Sequence, residues 1–394
     1  MIALRRGLLV AFVVGLGCSI TLAETALLLL TALWLWRLRD PVARRGQTWP
    51  LWPPVLAFAG ASVLSALASG QAVQSLAACK TLLLTAALYV TADALVDARA
   101  GDRFLTWMAW AGCGAAVAGL VQVGACPAQE PAGGLARWFF HRCDRARAFF
   151  SIYMTLAGVL NLVLLATLPR VLPGGFRAWS VPPWVLGAAG LALTYTRGAW
   201  LGFGAGAAAL LPLSRRGRVA VLAGLVLLPV IFLLGPRELS HRFRSMFDPD
   251  EAGIRERVYM WRSGTAMWRE RPWLGWGPGG VKREYPRYAL PEAVKKRTGH
   301  VHNTPLQILV ERGLLGLGAW LAIWVAFYRR AMRLLRGLGP ARTGERALVA
   351  GSLAAVTGFL VAGLSEYNFG DSEVVMLAWA VMALPWTVDR SLAA

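Results

Sequence analysis

Apolar runs alternate with short Arg-rich clusters along almost the whole chain. Such runs lie near 51–69, 75–96, 104–124, 149–169, 183–196, 198–213, 219–235, 305–328, 347–364 and 374–388. A membrane-spanning helix needs about 20 apolar residues, with about 17–25 tolerated. Several runs are shorter than that, which suits helices covered by protein at one end. The first segment is different: from Gly7 to Trp36 there are 30 residues between Arg5-Arg6 and the cluster Arg37/Arg39/Arg44/Arg45. That is too long for one span and short for two. Both ends are basic, and Gly15, Gly17, Ser19 and Glu24 sit in the middle, so the pattern predicts a tight pair of short helices. The chain as a whole reads as an all-α integral membrane protein, one polytopic membrane domain over 1–394 with about twelve transmembrane helices and both termini inside.

Charge supports this layout. The clusters Arg37–Arg45, Arg99/Arg103, Arg170/Arg177, Arg215/Arg216/Arg218 and Arg329/Arg330/Arg333/Arg336/Arg342/Arg346 alternate as twelve spans require. Short cytoplasmic loops collect Lys and Arg in this way. Two segments fall outside: 125–148, and the longer 236–304 between the ninth and tenth spans, whose patterning predicts helices within it. The first apolar stretch runs into the next without a small-residue cleavage site, so no cleavable leader is expected.

Composition narrows the class further. The 394 residues include 41 Lys+Arg and 21 Asp+Glu, a net charge of 41 − 21 = +20, with 57% hydrophobic and 16% charged residues. A soluble domain carries about 25% charged residues. Disorder, a disulfide scaffold and a cytosolic enzyme are excluded. The basic excess does not call for nucleic acid as a partner, because cytoplasmic loops and anionic membrane lipids both account for it.

The outer segments are cationic too. The shorter holds Arg137, Arg142, Arg145 and Arg147, the longer fourteen Lys/Arg. These residues either contact lipid headgroups or handle an anionic substrate such as a lipid pyrophosphate. All four histidines, His141, His241, His300 and His302, lie in the same outer segments. Cys126 and Cys143 share the shorter one, where an oxidising compartment would permit but not require a bridge. Cys18, Cys79 and Cys113 fall in apolar runs and read as packing residues.

Three stretches carry candidate chemistry. In Gly299-His300-Val301-His302-Asn303-Thr304-Pro305, Pro305 suits the first turn of a helix and Asn303 or Thr304 can cap it. His302 is thereby placed just before a helix N-terminus at the membrane surface, where imidazole can take a proton from a sugar hydroxyl. Thr194-Tyr195-Thr196-Arg197-Gly198-Ala199-Trp200 joins two apolar runs so tightly that Arg197 sits at or near membrane depth. An ionisable residue there marks a functional site unless it is paired or reaches the interface. In 253–272, Arg257, Trp261, Gly264 and Trp268 share one helical face. An Arg among Trp rings can hold a phosphate beside a sugar, and an interfacial amphipathic helix would look the same. Pro272-Trp273-Leu274-Gly275-Trp276-Gly277-Pro278-Gly279-Gly280 then ends that helix as a turn-rich loop. Asp248, Asp250 and Glu251 are the nearest thing to an acidic metal cluster and read equally as a helix start. Glu366, Asp371 and Glu373 in the last outer turn could pair with outer arginines. The expectation is chemistry without metal or cofactor, with Arg supplying the electrostatics.

His302-Asn303, followed after nine residues by Gly313 and after two more by Gly316, resembles the signature of the Wzy_C superfamily. That group comprises O-antigen ligases, O-antigen polymerases and bacterial O-oligosaccharyltransferases. Arg197-Gly198-Ala199-Trp200, Arg257 four residues before Trp261, and Pro272-Trp273-Leu274-Gly275-Trp276-Gly277 are similar to further blocks of the ligases. The resemblance implies a GT-C-like glycosyltransferase of the bacterial inner membrane with its active site facing the periplasm and 236–304 as a long periplasmic loop. Its donor would be O-antigen on undecaprenyl pyrophosphate and its acceptor lipid A–core, with metal-independent, inverting transfer completing lipopolysaccharide. By position, His302 would be the general base, and Arg197 and Arg257 would bind the pyrophosphate. Arg142, Arg145, Arg147, Trp261, Asn303 and His300 are further candidates for substrate contact. Length and loop layout favour ligase over polymerase and over protein O-oligosaccharyltransferase. A flippase or transporter whose outer arginines bind lipid phosphate without reaction is the alternative of another class.

Overall fold

The computed structural model describes the chain apart from residues 1, 130, 132, 174, 213, 214 and 394, and the side chains of Ile2, Arg215, Arg216 and Ala393 are also outside what is described. The described residues form helices and turns with no strand. Eight helices are long and apolar enough to cross a membrane, and Trp52–Ala68 and Ala178–Leu193 are shorter apolar helices. The N-terminal apolar stretch is broken at Ser19, whose hydroxyl caps Ile20–Arg37 after the helix Ile2–Cys18. Gly15 sits against the backbone of Ala23, a close approach that a side chain there would obstruct.

The functional end is set by one long helix, Thr304–Gly337, kinked at Gly313 with φ +63°. A left-handed residue interrupts the helical hydrogen-bond ladder, and glycine adopts that conformation without strain. The loop 272–280 fills the break. Leu314 N–H donates to Pro272 O at 2.8 Å and Trp276 N–H to Val310 O at 3.0 Å. A Cβ on Gly313 would lie 2.2 Å from the Trp273 carbonyl, and one on Gly316 2.2 Å from Arg312 Cβ. The two spaced glycines are therefore a seat for the loop and for Arg312, which is buried with Glu311 as an ion pair at 3.2 Å. Such a pair tolerates burial only when its remaining groups are bonded. Arg312 Nε donates to Ser62 Oγ at 2.9 Å, and Gln307 Nε2 donates to Glu311 at 3.0 Å.

The opposite end of the bundle is held by ion pairs. Asp93, buried at the end of its helix, accepts from Arg5 and Arg37. Arg390 donates to the adjacent Ala92 carbonyl and Arg330 pairs with Asp389. Arg330 is 330 − 304 = 26 residues along the long helix, roughly 35–40 Å from its start at 1.5 Å per residue.

Around the long helix, Arg197–Ala208 packs on Thr343–Ala362, and both pack on Tyr153–Thr167. Small residues permit these close crossings: a Cβ on Gly202 would stand 2.5 Å from Gly358 O. The segment 236–303 carries the helices Arg237–Arg244, Ala252–Glu270 and Gly280–Glu284. Segment 125–148 carries the short helix Gly134–Phe140 and a Cys126–Cys143 disulfide, the bridge that spacing alone left open.

Candidate active site

Asn303 fixes the start of the long helix. Its Oδ1 accepts from Leu306 N–H at 2.8 Å as an N-cap, while its Nδ2 donates to Leu364 O at 2.8 Å. Thr304 N–H and Oγ1 bond to Gly363 O and Glu366 O at 2.7 and 2.9 Å. The loop before the helix is thereby tied to the 363–371 turn, and Val301 N–H is held by Gln307 Oε1 at 2.9 Å. His302, with φ +48°, occupies a conformation uncommon for a side chain with Cβ. The ties on both sides of it keep it there.

This places His302 Nδ1 2.9 Å from Glu366 Oε2, and Glu366 Oε1 accepts from Arg257. A carboxylate only accepts, so Nδ1 carries a proton, and in the neutral ring the lone pair is on Nε2. His302, Glu366 and Arg257 thus form a relay across three elements far apart in sequence. His300 stacks edge-on to His302 with ring centroids 4.3 Å apart. Burial, with the neighbouring His302 second, lowers the His300 pKa to about 4, so His300 is neutral near pH 7.

Arg197 opens its helix on the facing side. Its guanidinium donates to Glu251 Oε2 at 3.0 Å and to Ser245 O and Oγ at 3.1 and 3.2 Å. Glu251 also caps the helix Ala252–Glu270 and meets Arg242 at 3.4 Å. Burial alone would raise its pKa, but the hydrogen bond and charge of Arg197 bring it below the ordinary carboxylate value. Of the two readings of Asp248, Asp250 and Glu251, Glu251 takes the helix start, as N-cap of Ala252–Glu270, and is an arginine partner as well.

Arg197, Arg242, Arg257 and His302 line one cavity of about 370 Å³ with Tyr153, Glu251, Glu256 and Lys295. Its four cationic side chains face two carboxylates, a balance of 4 − 2 = +2. Glu256 is engaged by Val294 and Lys295 N–H at 3.0 and 2.8 Å, which seats Lys295 at the cavity. Such a pocket suits a polyanion whose charge is spread over several oxygens.

The structure therefore gathers Arg197, Arg257, His300 and His302 at one place. Asn303 shapes the loop from outside the cavity. Trp261 belongs to a small apolar cluster with Met260, Met267, Trp276 and Val301 and does not line the cavity. Gly264, on the same face, takes Leu306 and Val301 against its Cα. Arg145 lies over the Tyr153 ring at 4.6 Å and lines a neighbouring groove with Tyr195, Arg237 and Arg242. Arg142 lines a separate one with Arg137 and His141. Arg147 is buried; its guanidinium donates to the His141 and Phe150 carbonyls at 2.9 Å each and to Trp138 O, so it braces the loop from within.

Sequence reading did not assign Glu366 its role with His302, nor Arg242, Tyr153 and Lys295 to the site. The pairing of Glu366 with Arg257 is the arginine contact expected of the last outer turn, while no spacing rule links Glu366 to His302, 64 residues away.

Residues 183–321, which include Arg197, Arg257, His302 and both signature glycines but not Glu366, match the family model Wzy_C, described as O-antigen ligase. A comparison with curated proteins gives no match. Through that segment, about a third of its length, this multi-pass, all-helical chain matches the Wzy_C, O-antigen ligase, family.

Proposed function

We propose that the protein is an O-antigen ligase, transferring glycan from undecaprenyl pyrophosphate to a sugar hydroxyl of lipid A–core at the periplasmic face of the bacterial inner membrane. The observation that carries this reading is the His302–Glu366–Arg257 relay at the edge of a cavity with four cationic side chains.

In the proposed mechanism the acceptor hydroxyl gives its proton to His302 Nε2 as its oxygen bonds to the anomeric carbon of the donor. The anomeric carbon–oxygen bond to the pyrophosphate breaks, and undecaprenyl pyrophosphate leaves with the electron pair. Attack opposite the leaving group inverts the anomeric configuration. Glu366 fixes the tautomer and offsets the charge of the imidazolium as it forms. Arg197, Arg242, Arg257 and Lys295 stabilise the charge that grows on the pyrophosphate, the electrostatic term that matters most where water is scarce. In this scheme the arginines supply the electrostatics without a metal.

The test is the lipopolysaccharide profile of a deletion strain together with its pool of lipid-linked O-antigen. Loss of the whole ladder with long glycan accumulating on undecaprenyl pyrophosphate is expected. A single repeat still attached to core would mean a polymerase. An unchanged ladder would mean a protein acceptor or transport without reaction.

A further inference from the structure

A second cavity, of about 180 Å³, adjoins the cationic one. Neighbouring residues of three segments face the two in turn: Ile152 and Met154 line the second where Tyr153 lines the first, Thr196 where Arg197 does, His300 where His302 does. Glu366, bonded to His302, also faces the second cavity. The histidine pair and its carboxylate are therefore part of a shared wall.

The chemistry of the second cavity is different. It has no Lys or Arg among its lining residues, and its ionisable acids are Glu366 and Asp371. A phosphate would find no counter-charge there. Two lining groups lack partners: Asn161 Oδ1, on a residue only 2% exposed, and His300 Nδ1. Leaving such atoms unbonded carries the full desolvation penalty. Asn161 is accommodated by glycines, since a Cβ on Gly202 would lie 3.0 Å from its Nδ2. Phe359, Ala362 and Val374 give the cavity an apolar side, and the Tyr367 ring stands 5.8 Å from that of His300.

A sugar ring matches this pattern, with hydroxyl edges that donate hydrogen bonds and C–H faces that pack on apolar walls and rings. An isoprenoid or acyl chain would fill the apolar side and leave Asn161 and His300 unsatisfied. By the measure in which one water needs about 15 Å³, the space holds roughly twelve water-sized groups, comparable to the non-hydrogen atoms of one hexose.

We propose that this cavity is the acceptor-sugar subsite: it takes the neutral, hydroxyl-bearing ring that receives the glycan, with Asn161 Oδ1 and His300 Nδ1 accepting from its hydroxyls. The proposal rests on the ligase reading and assigns the two substrates to the two adjoining cavities, the pyrophosphate among the arginines and the acceptor ring beside Asn161. His302 and Glu366, where the two cavities adjoin, then flank the point at which the hydroxyl meets the anomeric carbon it attacks.

The experiment is transfer kinetics of the full-length protein in lipid nanodiscs, with lipid-linked O-antigen as donor and lipid A–core as acceptor. Each KM is measured for wild type, Asn161→Leu and Ile152→Trp. Asn161→Leu keeps the volume and removes the amide; Ile152, 44% exposed at the rim, can take a larger ring without disturbing the core. Both variants are expected to raise the acceptor KM by about tenfold or more, the loss of one hydrogen bond or of access, with the donor KM within about twofold. Should Asn161→Leu fail to fold, Ile152→Trp carries the test alone. A changed donor KM with an unchanged acceptor KM would overturn the proposal and make the cavity a site for the donor's lipid chain. Two unchanged constants would leave it a water-filled space and overturn the proposal equally. No transfer by the wild type would overturn the ligase reading itself, and this inference with it.

Discussion

Glu366 Oε2 lies 2.9 Å from His302 Nδ1, and the other oxygen of the same carboxylate accepts from Arg257. One acidic side chain thereby couples the proposed base to one of the proposed phosphate ligands. The proton on Nδ1 and the charge near the leaving group are set by a single residue of the last loop.

Glu366→Gln keeps the shape and removes the fixed acceptor. Its amide can donate to Nδ1 and trap the tautomer protonated at Nε2, so Nε2 ceases to be a base. The account predicts a fall in kcat of at least about 100-fold, the scale of a lost general-base contribution, with a smaller change in donor KM. Steady-state kinetics on purified protein measures this, and a kcat near wild type would separate Glu366 from the base.

Arg197 donates to Glu251 and to Ser245, which holds the guanidinium at the cavity edge. Arg197→Ala leaves Glu251 with Arg242 as its remaining arginine and removes a charge from the pyrophosphate. A donor KM raised by about 10–100-fold is expected, in line with the loss of a hydrogen bond to a charged group. Arg197→Lys restores only part of it, because an ammonium lacks the planar fork. An alanine variant with unchanged donor KM would place Arg197 outside the donor site.

Gly313→Ala tests the seat beneath the site rather than its chemistry. The new Cβ would stand 2.2 Å from the Trp273 carbonyl at φ +63°, so loop and helix must part. A cost of about 2 kcal/mol or more is expected from strain and displaced hydrogen bonds, read as a lower midpoint in thermal unfolding in detergent. Gly318→Ala, where nothing lies within 4 Å, is the matched control and should unfold at or slightly above the wild-type temperature.

Acid should weaken the site through His300. Its pKa is about 4 in the fold, lowered by burial first, against an ordinary 6.5. Between these values the unfolded chain binds more protons than the folded one, so stability rises with pH across that window and is lost on acidification through it. His300→Gln removes this contribution, and its unfolding midpoint should fall less than that of wild type between pH 6.5 and 4. Identical slopes would mean that His300 binds its proton equally in the folded and unfolded chain.

Much of this was legible in sequence because it is local. Apolar run lengths gave an all-helical membrane protein, and the break near Ser19 followed from a segment too long for one helix. The count of twelve spans was less secure for the same reason. Helices such as Arg197–Ala208 and Ala178–Leu193 are shorter than a full span, so hydropathy and length decide eight spans and leave others open. Arg197, Arg257 and His302 stood out as charges and imidazole beside apolar helices, and the fold brings them together. What pattern could not supply was pairing over distance. The cluster around Glu251 reads as a metal candidate or a helix start, and neither reading shows its arginine partners, which lie 54 and 9 residues away. Arg147 is a candidate for substrate contact in sequence, and nothing local shows that backbone carbonyls also hold its guanidinium. The Pro272–Gly280 loop reads as a helix terminator, and only the fold shows its glycines in close approach, Gly275 to the long helix at Val310–Arg312 and Gly277 to Ser69 and Ser75.

The most direct test of the central claim is the transfer rate of His302→Ala in nanodiscs, with binding of the lipid-linked donor measured on the same preparation. The account predicts a rate at least about 100-fold below wild type with donor affinity nearly unchanged, because Arg197, Arg242 and Lys295 remain in place. Transfer within a few-fold of wild type would contradict it and remove His302 from the chemistry.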